Sequence, residues 1–170
     1  MVYLSKPTIT ILNKRDAKLY KPLKSLWKKP ILIRILDGSP FKEEQPVRYH
    51  KRYKHELDMV FLDIEIEQNE SLSSIKERQN IYQSKLFNEN HIKQLYQFLK
   101  PIDFNRVSEI VIHCTEGERR SVSIALIIAK HFTYDLDAFN TIQSKKRFTF
   151  GNPYVYGISD NWMNKIEHRQ

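Results

Sequence analysis

The sequence predicts an α/β fold of three layers, a central, mostly parallel sheet flanked by helices on both faces, in a single domain spanning 1–170. Three observations predict it. Short apolar, β-branched runs recur along the chain with helical patterns between them, the alternation of a parallel sheet. The run Ile110-Val111-Ile112 before His113 is apolar without a break, as a strand covered on both faces requires. No repeat, low-complexity tract or linker rich in Gly or Ser divides the 170 residues, a length sufficient for one buried core.

In order along the chain, Thr8 to Leu12 reads as a short strand. The segment from Asn13 to Leu23 reads as a short helix ended near Pro22. Ile31 to Leu36 has strand composition and meets the turn signal Asp37-Gly38-Ser39-Pro40. Phe41 to His55 is polar and basic and reads as loop, with aromatics and cations interleaved from Tyr49 to His55. Met59 to Leu62 reads as a buried strand passing into Asp63-Ile64-Glu65-Ile66-Glu67, whose alternation would set the three acids on one wet face.

Ser74-Ile75-Lys76-Glu77 has the form of a capping box, so a helix is expected there that carries Ile75, Tyr82 and Leu86 inward. Asn88 to Leu99 is a helix by spacing, with Ile92, Leu95, Tyr96 and Leu99 on one face and Pro101 behind. Ser108 to Phe132 reads as strand, polar loop and apolar helix. Asp135 is expected to cap a helix whose Leu136, Phe139 and Ile142 face the core, with Lys145, Lys146 and Arg147 at its negative end. Phe148 to Tyr156 reads as loop, and Asp160 to Glu167 as a last short helix.

The net charge is +8 and unevenly spread. Residues 1–55 hold 14 Lys and Arg against 4 Asp and Glu, so the rest of the chain is slightly acidic. That asymmetry suggests a basic face for a polyanionic or phosphorylated partner, RNA or phosphoinositide among them. No run approaches the ~20 apolar residues of a membrane span, the N-terminus lacks a signal-peptide pattern, and one cysteine fits a reducing compartment. The expectation is a soluble cytoplasmic protein.

The stretch from Ser108 to Phe132 carries the chemistry. A loop wrapping into a helix N-terminus aims backbone N–H groups at one spot and forms an anion site. The same field favours thiolate over thiol, which would make Cys114 a nucleophile. Arg120 returns to the pocket six positions later, where its planar fork can grip two phosphoryl oxygens. Ser121 is placed to hydrogen-bond the sulfur and stabilise it as a leaving group.

The spacing His113-Cys114-x5-Arg120-Ser121 resembles the signature of the protein tyrosine phosphatase superfamily, in a compact dual-specificity-like form of bacterial and phage type. The resemblance implies a phosphatase-like fold and a metal-independent, cofactor-free phosphatase acting on a phosphorylated protein or another phosphate monoester. It implies that Thr115, Glu116, Gly117, Glu118, Arg119 and Arg120 form the phosphate-binding loop. His113 would order that loop, and Asn152, in Asn152-Pro153-Tyr154-Val155-Tyr156, would help place water or substrate.

The acid that protonates the leaving oxygen would by the same resemblance be Asp63, after Val60-Phe61-Leu62, although it lies 51 positions before Cys114. Asp58, Glu65, Glu67 and Asp103 are the other carboxylates in range. Glu116, Glu118 and Arg119 stand where the family pattern favours small or apolar residues, and the two acids oppose thiolate formation. Three other uses of such a loop compete: an RNA 5′-phosphatase or triphosphatase, a rhodanese-like sulfur carrier, and a catalytically silent phospho-binding module.

Overall fold

The structure, a computed structural model, describes residues 6–23, 25–38, 47–64, 74, 77, 86–145 and 150–169. Four parallel strands form one sheet: β1 (Thr8–Asn13), β2 (Lys29–Leu36), β3 (His55–Val60) and β4 (Val107–Cys114). Their spatial order is β1-β4-β2-β3. The helices are α1 (Lys14–Leu19), α2 (Glu89–Leu99), α3 (Arg120–His131), α4 (Leu136–Lys145) and α5 (Pro153–Glu167), with 3-10 turns at His50–Arg52 and Phe104–Arg106. The fold is the three-layer α/β arrangement expected from the sequence. No helix among the described residues is long and apolar enough to cross a membrane.

Strand alternation divides the core. Ile31, Ile33 and Ile35 of β2 and Ile110, Ile112 and Cys114 of β4 pack on one face in the cluster that includes the apolar residues of α2, α3 and α5. Leu32 and Val111 face the other way, onto Val47, Tyr53, Leu12 and Tyr20. On that thinner side lies Glu109, fully buried. Its carboxyl oxygens accept from the Tyr20 hydroxyl at 2.5 Å, the Leu23 N–H at 2.7 Å and the Thr10 hydroxyl, so the buried group is hydrogen-bonded on both oxygens. Burial and then the Glu109 carboxylate raise the Tyr20 hydroxyl above its ordinary pKa.

Helix α3 is buried from Arg120 to Ala129. A helix apolar nearly all round is a core element rather than a surface one, and α3 packs against the sheet as well as α4 and α5. Its far end is tied to α5 by polar side-chain contacts. Asp160 Oδ1 lies 2.7 Å from both Lys130 Nζ and His131 Nε2, and His131 Nδ1 lies 2.7 Å from Glu167 Oε1.

Several elements depart from the sequence expectation. Strand β3 starts at His55, inside the expected loop, and ends before Phe61. It is an edge strand with one neighbour, so it alternates buried Leu57 and Met59 with exposed Glu56 and Asp58, and polar residues do not exclude it. Asp63 and Ile64 therefore follow the strand irregularly rather than extending it. Glu65 and Glu67 lie outside the described residues, as do Ile75, Lys76, Tyr82, Lys146 and Arg147. Ser74 and Glu77 are helical, and Leu86 is buried as expected.

The Asp135 side chain caps α4 through the Ala138 N–H at 3.0 Å, and Ile142 is buried, but Leu136 is 67% exposed rather than facing the core. The largest correction is α5, which begins at Pro153 instead of near Asp160. Asn152 accepts from the N–H groups of Tyr154 and Val155 with Pro153 in the first turn, a legible start signal. The aromatic residues and Gly157 hid it.

Burial pushes the Asp160 carboxyl up, but hydrogen bonds from Lys130 and His131 outweigh it and hold the group below the usual carboxylate range. Its stabilising contribution is therefore complete above the unfolded value of about 3.9 and is lost as pH falls through the lower folded value. Asp160→Asn is expected to cost about 1 kcal/mol at neutral pH and to flatten the loss of stability below about pH 4. Urea melts of both proteins across that range check this, and parallel curves would refute it.

Candidate active site

Strand β4 lies between β1 and β2, and it delivers Cys114 to the carboxyl edge of the sheet, opposite Asn13 of β1. In open parallel sheets ligands bind beyond that edge. The chain then turns through Thr115–Arg119 into α3. Gly117 has φ +71°, and a Cβ there would lie 2.7 Å from Asn13 N and 2.8 Å from the Leu12 carbonyl carbon. Only glycine fits that turn against the end of β1. The Lys14 N–H donates to the Thr115 carbonyl at 3.2 Å and fixes the same side.

The Cys114 sulfur is buried, 2% exposed. It accepts the Gly117 N–H at 3.2 Å and lies 3.2 Å from the Ser121 hydroxyl. Helix α3 starts with no side-chain cap, so its first-turn N–H groups remain donors toward what the loop encloses. His113 is buried immediately before the cysteine, aligned between Leu12 and Arg34 across the sheet.

Arg120 is 3% exposed, and its guanidinium is held on several sides. Nη1 donates to the Phe61 carbonyl at 2.8 Å and lies 2.6 Å from Asp37 Oδ1, while Nη2 donates to the Thr115 hydroxyl at 3.1 Å. Its Nε–H has no acceptor among the described residues. The Thr115 hydroxyl in turn donates to Asp37 Oδ2 at 2.8 Å. Burial pushes the Asp37 carboxyl up, but Thr115, Arg120 and Lys14 outweigh it and hold it below the usual carboxylate range.

Asp63 is brought to the loop despite its distance in sequence. Its Oδ1 accepts from Asn152 Nδ2 at 2.8 Å and from Arg119 Nε at 3.3 Å. Asn152 Nδ2 also reaches the Ile64 carbonyl at 3.0 Å, so one side chain both starts α5 and positions the Asp63 segment. Two of the rival acids, Asp58 and Asp103, are engaged elsewhere. Asp58 pairs with Arg34 at 2.6 Å on the β3 edge, and Asp103 pairs with Arg106 at 3.6 Å just before the amino end of β4. Glu116 is exposed and Glu118 half-buried.

Three residues escaped the sequence reading. Asp37 was legible only as a turn signal, although an acid at the carboxyl end of a strand is a site candidate by position. The Ser123 hydroxyl accepts the Asn152 N–H at 2.8 Å and lies 2.9 Å from the Phe150 carbonyl. Gly151, at φ +67°, would press a Cβ onto the Arg119 carbonyl and Ser123. Together they lock the start of α5 to the loop. Neither a protein-family model nor a curated protein matches this chain.

Gly151→Ala is expected to cost about 1–3 kcal/mol, because a positive φ and backbone overlap act together, and to displace Asn152 from Asp63. Chemical denaturation measures the first effect and the Asn152 side-chain amide resonance the second. Asp37→Asn should cost about 2 kcal/mol, because it leaves the buried Arg120 charge without its carboxylate, a loss softened by the 43% exposure of Asp37. Its other effect should be a less constrained Arg120, measured as increased mobility of the guanidinium by NMR relaxation.

Proposed function

We propose that this protein is a phosphatase that hydrolyses phosphate monoesters, of phosphotyrosine or dual-specificity type, through a phosphocysteine on Cys114. One observation carries the reading. A buried cysteine sulfur with two hydrogen-bond partners at 3.2 Å sits at a central strand end, under a loop closed by a buried, multiply held arginine. A structural core cysteine needs none of that apparatus.

In this mechanism the Cys114 thiolate attacks phosphorus in line, forming the S–P bond as the P–O bond to the leaving group breaks. The loop N–H groups, the first turn of α3 and Arg120 stabilise charge on the equatorial oxygens. The Arg120 Nε–H, without an acceptor among the described residues, is suited to one of them. Asp63 gives its proton to the leaving oxygen and then, as carboxylate, takes one from the water that attacks the phosphocysteine. The S–P bond breaks, and the Ser121 hydroxyl supports the departing thiolate. Asn152 and Arg119 support the Asp63 assignment by holding that carboxylate at the loop.

Cys114→Ser should abolish hydrolysis of a phosphotyrosine peptide while phosphate binding persists. Asp63→Asn should lower kcat by about 10²–10⁴-fold, and Arg120→Lys by about 10²–10³-fold. Steady-state and single-turnover assays check all three. Turnover retained by the Cys114→Ser protein would sink the mechanism, and an unaffected Asp63→Asn protein would remove that residue as the acid.

A further inference from the structure

The connection from α1 to β2 displays apolar side chains where a water-soluble surface has no use for them. Leu19, Leu23, Leu26 and Trp27 are 67%, 58%, 91% and 86% exposed. Scattered exposed leucines need no explanation, but one bulky apolar residue at the end of α1 and three on the short connection after it do. The segment is also built to keep them outward. Its stem is pinned to β4, with the Leu23 N–H on the buried Glu109 carboxylate at 2.7 Å and the Ser108 hydroxyl on the Leu23 carbonyl at 2.6 Å. Its tip is a closed turn, in which the Ser25 N–H donates to the Lys28 carbonyl and the Lys28 N–H to the Ser25 hydroxyl, both at 2.9 Å. Leu26 and Trp27 occupy the centre of that turn. They border an open recess of about 570 Å³ shared with Asn105 and Arg106.

In the sequence of the connection the charges have one sign. Lys18, Lys21, Lys24, Lys28 and Lys29 interleave with the apolar residues, and no Asp or Glu occurs from Ala17 to Leu36. Asp103, paired with Arg106, is an acid beside the recess. We propose that this turn docks the protein on the surface of an anionic bilayer, with Leu26 and Trp27 entering the interface and the lysines meeting lipid phosphates. Tryptophan and leucine beside lysines are the composition of interfacial anchors, whose apolar groups insert while the amines remain at the headgroups. A nucleic-acid strand would use the aromatic ring and the amines but gain nothing from three leucines. A second copy of the same surface would bring like charges together.

The position in the fold defines a consequence. Lys29, next to the tip, aligns with Val107 at the amino end of β4, whereas Cys114 closes its carboxyl end. Eight strand residues at about 3.3 Å each separate the two ends by about 25 Å. A docked molecule therefore holds the Cys114 loop away from the lipid. The docking does not rest on the phosphatase reading.

Co-sedimentation of the full chain with phosphatidylcholine vesicles, with and without phosphatidylserine, tests it. Binding is expected only to the phosphatidylserine vesicles, with a blue shift of tryptophan emission and weakening at high salt. Leu26→Ser with Trp27→Ser should lower binding by about tenfold or more at unchanged melting temperature, whereas Cys114→Ser should bind as the parent protein does, which separates this test from that of catalysis. The proposal is overturned if the parent protein ignores phosphatidylserine vesicles, or if the double variant binds them equally well. It is also overturned if the turn mediates self-association or RNA retention in place of vesicle binding.

Discussion

A helix whose first turn is polar and fully buried must find a partner for each polar group it brings inside, and α3 is such a helix. Arg120, Ser121 and Ser123 are all buried, and a buried polar group left unpaired costs more than its hydrogen bond contributes. Ser121 turns to the Cys114 sulfur, and Ser123 takes the backbone that starts α5. Arg120 draws in Thr115, the Phe61 carbonyl and Asp37. The ends of β1, β2 and β4 and the segment after β3 thus meet around one short loop because α3 cannot be buried otherwise.

The two loop arginines divide the electrostatics. Arg120 reaches Asp37 at the end of β2, and its neighbour Arg119 reaches Asp63 beyond β3. Breaking a buried pair by removing one partner strands the other charge, which costs far more than the pair contributes. Arg120 is nearly inaccessible while Asp37 keeps 43% of its side chain in water, so the arginine depends on the carboxylate more than the reverse. A doubly charged phosphoryl group entering the loop would supply Arg120 with a stronger counter-ion. Asp37 would then share it or turn toward solvent, and its partial exposure leaves room for that.

How much of this was legible in the sequence follows from how local each signal was. The β4 strand, its loop and α3 were readable end to end because an unbroken apolar run, a glycine turn and an apolar helix occupy one continuous stretch. Edge strand β3 was misplaced because its polar half faces water, which no local pattern separates from a loop. Helix α5 was read seven residues too short, although Asn152-Pro153 is a start signal, because tyrosines and Gly157 weaken helical propensity and only packing against α3 restores it. At the site, Cys114, Arg120 and Ser121 stood in one motif. Asp37 and Gly151 matter through contacts with residues 83 and 32 positions away, respectively Arg120 and Arg119, and sequence spacing carries no trace of such contacts.

The basic surplus of residues 1–55 has a different place from the one its size suggests. If it served to gather polyanions at Cys114, its cations would line the Cys114 loop. Lys14 does stand there, where its charge lowers the Asp37 carboxyl, yet the side chain of this third that reaches Arg120 and Thr115 among the described residues is Asp37, an acid. Lys28 and Lys29 lie instead at the amino ends of the strands, beside the exposed Leu26 and Trp27. Fields of exposed charges fade within about 10 Å at moderate salt, less than half the length of β4, so lysines at that end cannot steer an anion to Cys114. The sheet therefore separates two kinds of electrostatics: buried charge held by carboxylate and hydrogen bonds at its carboxyl edge, where geometry must be fixed, and lysine charge nearer to solvent at its amino edge, where attraction to an extended anionic surface is enough.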